Sequence, residues 1–576
     1  MHKKGGNVDI KEFIKELKRV TGDYTLEKYY NAFTRIARNI SPSQRKFILN
    51  ILEIVGKQNM DDLDTGLLLE DIKSFNDRVE SGKYYDHWGW DEKTHREREF
   101  GDESWADEMD AFFRKACHAY EKKEYRIAVK VYEVLFSIFW MADEPGHLPR
   151  GCGYEEMLVT DLKEEGLYFL KAALVSEKVD KRHERFHEII SKYRHFLPTP
   201  VDIEKLVDEM AFTENEKKSF LLKIIEMYSS IPTDSHHYRL YFQPVLFQAL
   251  LLTGGVKRLK DFAIKNGRNN PEAFELLIFE LKKSGDEKSA LEVARTGLSI
   301  IPKGSRRREY IAEYIAETGR NTANPSLELE GVREAFYSRM SIGYLVQLHE
   351  ASVQCGCNGE EMSKALAALE KRYLPEKTGK GFDDDDVDWY LMNQAYVLMG
   401  KSRESFALCN NKSVDRYDAD KIKALTIPYM IYLLGMKYGG GKADSLKDIK
   451  FGWRASFESP WSANDKNDIM NSFIDVTEKN AGTVAGTIKD EEAAGYLKWC
   501  KKEVSKRVDD IVGNKCTESY YIAANLLVTM NELLNISNMG ELTDGLLAYY
   551  YKKYSRYSAF KKEIIAFRDK CENVQE

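Results

Sequence analysis

Apolar residues recur at helical spacing along almost the whole chain. In DIKEFIKELKRV, Ile10, Phe13, Ile14 and Leu17 fall on one face, as an amphipathic helix requires. Strand-like alternation is rare and short. No βαβ rhythm is present, which weighs against most nucleotide-binding folds.

The helical segments come in pairs. NPEAFELLIFELKKSGDEKSALEVARTGLSIIP reads as a tetratricopeptide unit. Phe274, Leu277, Ile278 and Leu281 face inward from a first helix, and Gly285 and Asp286 turn the chain. Ala290 and Ala294 let a second helix approach, and Pro302 ends it. Weaker copies place turn glycines at Gly254, Gly319, Gly356 and Gly400, and an earlier one offers Tyr125, Ala128 and Tyr132. These glycines are unevenly spaced, so the pattern predicts an all-α fold: a degenerate tetratricopeptide-like helical-hairpin solenoid plus a smaller C-terminal helical module.

Three stretches break the periodicity. Lys83 to Trp105 is charged and rich in tryptophan; Pro375 to Asp388 is polar and acidic; IYLLGMKYGGGKADS, Ile431 to Ser445, runs from apolar residues into consecutive glycines. The expected organisation is a helical region with a Trp-rich charged loop over 1–110, the solenoid over 111–435, an exposed Gly-rich linker over 436–450 and the C-terminal module over 451–576.

Composition narrows the class. The 576 residues are 43% hydrophobic and 31% charged, as in folded globular chains. A net charge of −7 argues against general nucleic-acid coating, and direct nucleic-acid binding is not expected. The N-terminus lacks the apolar core of a secretory signal, and no run of 18 uncharged apolar residues appears. Eight scattered cysteines fit reduced, cytoplasmic usage.

Candidate chemistry is sparse. His183-Glu184-Arg185-Phe186-His187 matches H-E-x-x-H, which on a helix sets two imidazoles on one face for zinc, with Glu184 as the base. Charged Arg185 and Glu188 occupy positions that such helices bury, and a third ligand would have to be Glu204 or Glu209. A solvated helix face is the favoured reading, and a divergent zinc peptidase is the alternative. Cys355 and Cys357 lack the paired spacing of a zinc site. Cys117 and His118 are adjacent, so on a helix they point about 100° apart and form no dyad by adjacency. Asp383 to Asp386 miss the EF-hand pattern. Arg306-Arg307-Arg308 and the Tyr/Lys-rich stretch Tyr549 to Lys562 are basic, and the second reads as a docking helix. No cofactor or metal is expected. A phosphate-binding loop at the glycine run is excluded, because Gly441 stands where G-x-x-x-x-G-K-[ST] needs lysine and Ala443 follows Lys442.

What remains at that junction is a Met-Lys step between a long and a short helical part, in LLGMKYGGG. In this plan the chain resembles the protein substrates of the RNA-guided caspase-like protease of type III-E CRISPR systems. The resemblance implies a non-enzymatic partner of that target-RNA-activated protease, cut once between Met436 and Lys437. Leu433, Leu434 and Gly435 would be recognised by the protease, and the pieces would regulate a sigma factor or growth. A protein–protein adaptor without a regulatory cut is the other non-enzymatic reading.

Overall fold

The computed structural model describes residues 65–573 except 93–94, 143–145, 150–156, 211, 232–237, 374–387, 412–413, 415, 440–448, 451–452, 454–467 and 538–544, with scattered positions before 65. Ile10 to Leu17 and Asp383 to Asp386 thus lie outside the described residues. The fold is all-α and solenoid-like. The contacts divide it into two compact units, Met1–Phe262 and Ala263–Glu576. That border differs from the partition expected above and falls inside the predicted solenoid.

The first unit contains helices α1 (Thr65–Glu80), α2 (Ser104–Glu121), α3 (Tyr125–Ala142), α4 (Leu162–Ser176), α5 (Arg182–Tyr193), α6 (Ile203–Glu209) and α7 (Glu214–Ser229). Phe113, Tyr132, Phe136, Phe169 and Tyr193 form its aromatic core, with ring centroids 5.0–6.3 Å apart. The predicted Trp-rich loop is instead an antiparallel hairpin, β1 (Tyr85–Asp91) with β2 (Arg96–Gly101). Its short alternation, Trp88 and Trp90 opposite Glu99 and Glu97, is a strand signal that the charges hid. Trp105 lies outside the hairpin, fully buried in α2.

Helix α8 (Gln243–Asn266) is broken at Gly255, whose φ of 60° and ψ of −158° are not helical. The turn glycine expected at Gly254 is therefore displaced by one residue. In the second unit, α9 (Glu272–Lys283) and α10 (Glu287–Ile300) form the predicted repeat. Phe274, Leu277, Ile278, Leu281, Ala290 and Ala294 are all buried. Gly285 turns the chain in the left-handed region at φ +80°, which a side chain disfavours. Asp286 caps α10 by accepting the Ser289 amide at 3.1 Å.

The next pairs are α11 (Arg306–Asn321) with α12 (Pro325–Ser338), and α13 (Ile342–Gln354) with α14 (Asn358–Tyr373). Gly319 departs from expectation. It lies inside α11, and the left-handed turn residue is Ala323, with φ 50°. The glycine serves a close helix crossing: a methyl built on it would stand 2.3 Å from the Glu328 amide nitrogen of α12. Pairing continues with α15 (Trp389–Leu398) and α16 (Ser402–Cys409), which flank the long helix α17 (Arg416–Tyr438). The C-terminal helices are α18 (Asp468–Thr487), α19 (Asp490–Gly513), α20 (Tyr520–Ser537), α21 (Leu546–Lys553) and α22 (Ser558–Asn573).

Helix α17 is the pillar of this unit. Every residue from Leu425 to Gly435 is buried, so the helix is covered all round. It packs against α15 and α16 on the N-terminal side of the chain, and against α18, α19 and α20 on the C-terminal side. A buried polar network joins the first three: Asn393 of α15 donates to Thr426 Oγ1 of α17 at 3.1 Å, and Ser405 of α16 donates to Asn393 Oδ1 at 2.7 Å. Each buried polar group in it thereby finds a partner, without which it would be destabilising.

Candidate functional site

The predicted exposed linker begins, in the structure, as helix. Leu433 and Leu434 are 0% exposed, Gly435 is buried, and Met436 and Lys437 occupy the last turn of α17. The apolar run ends a helix that partners from both sides of the chain cover, and residues 436–438 are half-buried, so the expectation of exposure fails there. Residues 440–448, the rest of the glycine run, lie outside the described residues.

The Met-Lys step is held in place from two directions. Lys437 Nζ donates to the Ile488 carbonyl at 2.7 Å and pairs with Asp490 at 2.9 Å, at the start of α19. Its side chain is 18% exposed and that of Asp490 is 97% exposed, so solvent screens the ion pair and the carbonyl contact is the firmer of the two. The Met436 methyl lies against α18, where a carbon added to Gly482 would sit 3.6 Å from it. One turn back, Tyr429 and Tyr432 pack on Trp453, with ring centroids 5.7 and 6.3 Å apart. Burial pushes the Tyr438 hydroxyl above its ordinary value, with Asp490 adding to the effect. Ile488 and Asp490 lie some fifty positions along the chain from Lys437, and no local pattern announces them.

The geometry at this step is that of a latched helix terminus. Proteases draw a scissile segment into extended conformation, so a cut between Met436 and Lys437 requires the last turn of α17 to open first. Helix ends open more readily than centres, because their last carbonyls lack intrahelical partners.

The H-E-x-x-H residues do share a helix face on α5. Burial lowers the proton affinity of both His183 and His187. His187 packs among Tyr228 and Phe242, with centroids 5.7 and 5.3 Å away. The face is thus partly covered rather than solvated. Arg185 is committed to Glu133 and Glu188, at 2.6 and 2.7 Å, and Glu209 pairs with Lys171. Among the described residues, no three His, Cys, Asp or Glu side chains cluster closely enough to hold a metal ion.

Cys117 is the reverse of an activated nucleophile, because burial pushes its thiol up to about 12. Cys355 caps α13 beside the left-handed turn residue Gly356. The Tyr/Lys-rich stretch folds onto its own unit: Tyr550 donates to the Ser505 carbonyl at 3.0 Å, and Tyr554 and Lys553 reach Asp509 at 2.8 and 2.7 Å. Among the described residues no helix is long and apolar enough to cross a membrane. Neither a protein-family model nor a curated protein sequence matches the chain.

Proposed function

We propose that the chain is a non-catalytic helical scaffold of antiviral defence, cut once between Met436 and Lys437 by an RNA-guided, target-RNA-activated caspase-like protease. The observation that carries this reading is the position of the step, at the terminal turn of the helix on which both flanks of the chain converge. A cut there divides the unit across its central packing and removes only the last two residues of α17 from that helix. Its consequence is the regulation of a sigma factor or of growth by the modules on either side. The action belongs in the cytoplasm, where the protease complex and the sigma factor reside.

The contacts refine how such a cut acts. Helices α18, α19 and α20 remain packed on α17 after hydrolysis, and Lys423 of α17 still pairs with Glu503 of α19 at 2.9 Å. Hydrolysis also places a new carboxylate at the C-terminus of α17, where the helix dipole disfavours negative charge, and a new ammonium on Lys437. The last turn loosens, while the pieces stay together until a partner competes for the exposed apolar surface. The cut therefore converts a permanent association into a reversible one.

Incubation with the target-RNA-activated protease, followed by mass measurement under denaturing conditions, tests the reading. One product pair, 1–436 and 437–576, is expected. An intact chain, or a cut elsewhere, contradicts it.

A further inference from the structure

The motif Arg306-Arg307-Arg308 divides its labour. Arg308 is buried and structural: it donates to the Ile301 carbonyl at 2.8 Å and pairs with Glu334. Arg307 lies between Glu272 and Glu275, both at 3.2 Å. Arg306 lines a recess of about 390 Å³ with Gly304, Ser338, Arg339, Met340, Arg372 and Tyr373.

The topology of the hairpins explains the convergence. Arg306 opens α11, Arg339 follows the end of α12, and Arg372 lies in the last turn of α14. These points fall on one edge of two successive helical pairs, where the connections between pairs lie side by side. Three arginines thus line one recess, and no carboxylate stands among its described lining residues. Arg339 has a carboxylate nearby, Glu309 at 3.3 Å, and Arg372 lies over the Tyr373 ring at 5.4 Å. The described lining carries a surplus of positive charge. Gathering like charges is unfavourable unless an anion joins them, and arginine forks match the oxygens of a phosphoryl group in pairs. The start of α11 adds to the field, since its cap residue Ser305 makes no side-chain capping bond. The volume exceeds that of a bare phosphate and falls in the range of small-molecule sites.

We propose that Arg306, Arg339 and Arg372 form a binding site for a phosphorylated small molecule, independent of the Met436–Lys437 step. Calorimetric titration of the full-length protein with pyrophosphate and, separately, with ADP tests it. The proposal expects saturable one-site binding of at least one of them, weakening with added salt and reduced at least tenfold by Arg306→Gln and by Arg372→Gln. Arg307→Gln, which removes a neighbouring charge outside the recess, leaves it unchanged. Tighter binding of ADP assigns the recess to nucleotides, and equal binding to the phosphoryl group alone. No binding of either probe overturns the proposal, as does binding that the Arg306 and Arg372 variants leave intact. Binding that appears only after Asp383 to Asp386 are changed to asparagine overturns it too, because the chain's own acidic tract is then the resident anion.

Discussion

Replacing Leu434 by alanine is expected to destabilise the second unit by about 2–5 kcal/mol, the range for removing a fully buried leucine side chain. Leu434 is 0% exposed, as is Leu433, which is expected to behave alike. Both lie in the stretch of α17 that α15 and α16 cover from one side and α18 to α20 from the other. Chemical denaturation of the uncut protein measures the loss. A tenfold change in the opening equilibrium corresponds to about 1.4 kcal/mol, so a loss near 3 kcal/mol that also weakens the last turn raises its open population about a hundredfold. Trypsin, which cuts after Lys437 without reading the leucines, is then expected to cleave there much faster in the variant. Unchanged stability would mean that the leucines act only as recognition residues for a protease. The buried positions predict otherwise: any recognition of them follows the opening of the helix.

Gly331→Ala is expected to be comparably damaging at a distance from the cut. A methyl there would stand 2.2 Å from the Ala316 amide nitrogen and 2.6 Å from its Cα. Both atoms belong to the backbone of α11, so the clash is relieved only by separating α11 from α12. Overpacking of this kind costs about 1–3 kcal/mol, with more where backbone must move. Gly359→Ala in α14 is the matched control, since nothing lies within 4 Å of the added carbon. It is expected to stabilise by up to about 1 kcal/mol, because alanine favours a helix interior over glycine, less at this near-terminal position. Thermal unfolding of the two variants should move in opposite directions. A Gly331→Ala protein as stable as the parent would show that the crossing is looser than described.

The repeat unit was legible because its signals are local. Phe274, Leu277, Ile278 and Leu281 follow helical spacing, and Gly285 with Asp286 carries its own turn chemistry. Gly319 was misread because glycine serves two purposes, left-handed turns and close helix approach, and sequence spacing alone does not separate them. The hairpin over Tyr85–Gly101 was missed because its alternation is brief and crowded with charge. At the candidate site, the apolar end of α17 and the following glycines were visible, but the anchoring of the Met-Lys step was not. That anchoring comes from Ile488, Asp490 and Gly482, all remote in the chain. The arginine recess was hidden for the same reason, since only one of its three arginines belongs to the basic motif.

The central claim is that one cut at the end of α17 leaves a divided but still assembled protein. Native mass measurement after incubation with the activated protease tests it most directly. The account predicts a single assembled species heavier than the uncut chain by one water, which denaturant resolves into 1–436 and 437–576. A mass without the added water, or two pieces already apart under native conditions, would contradict it.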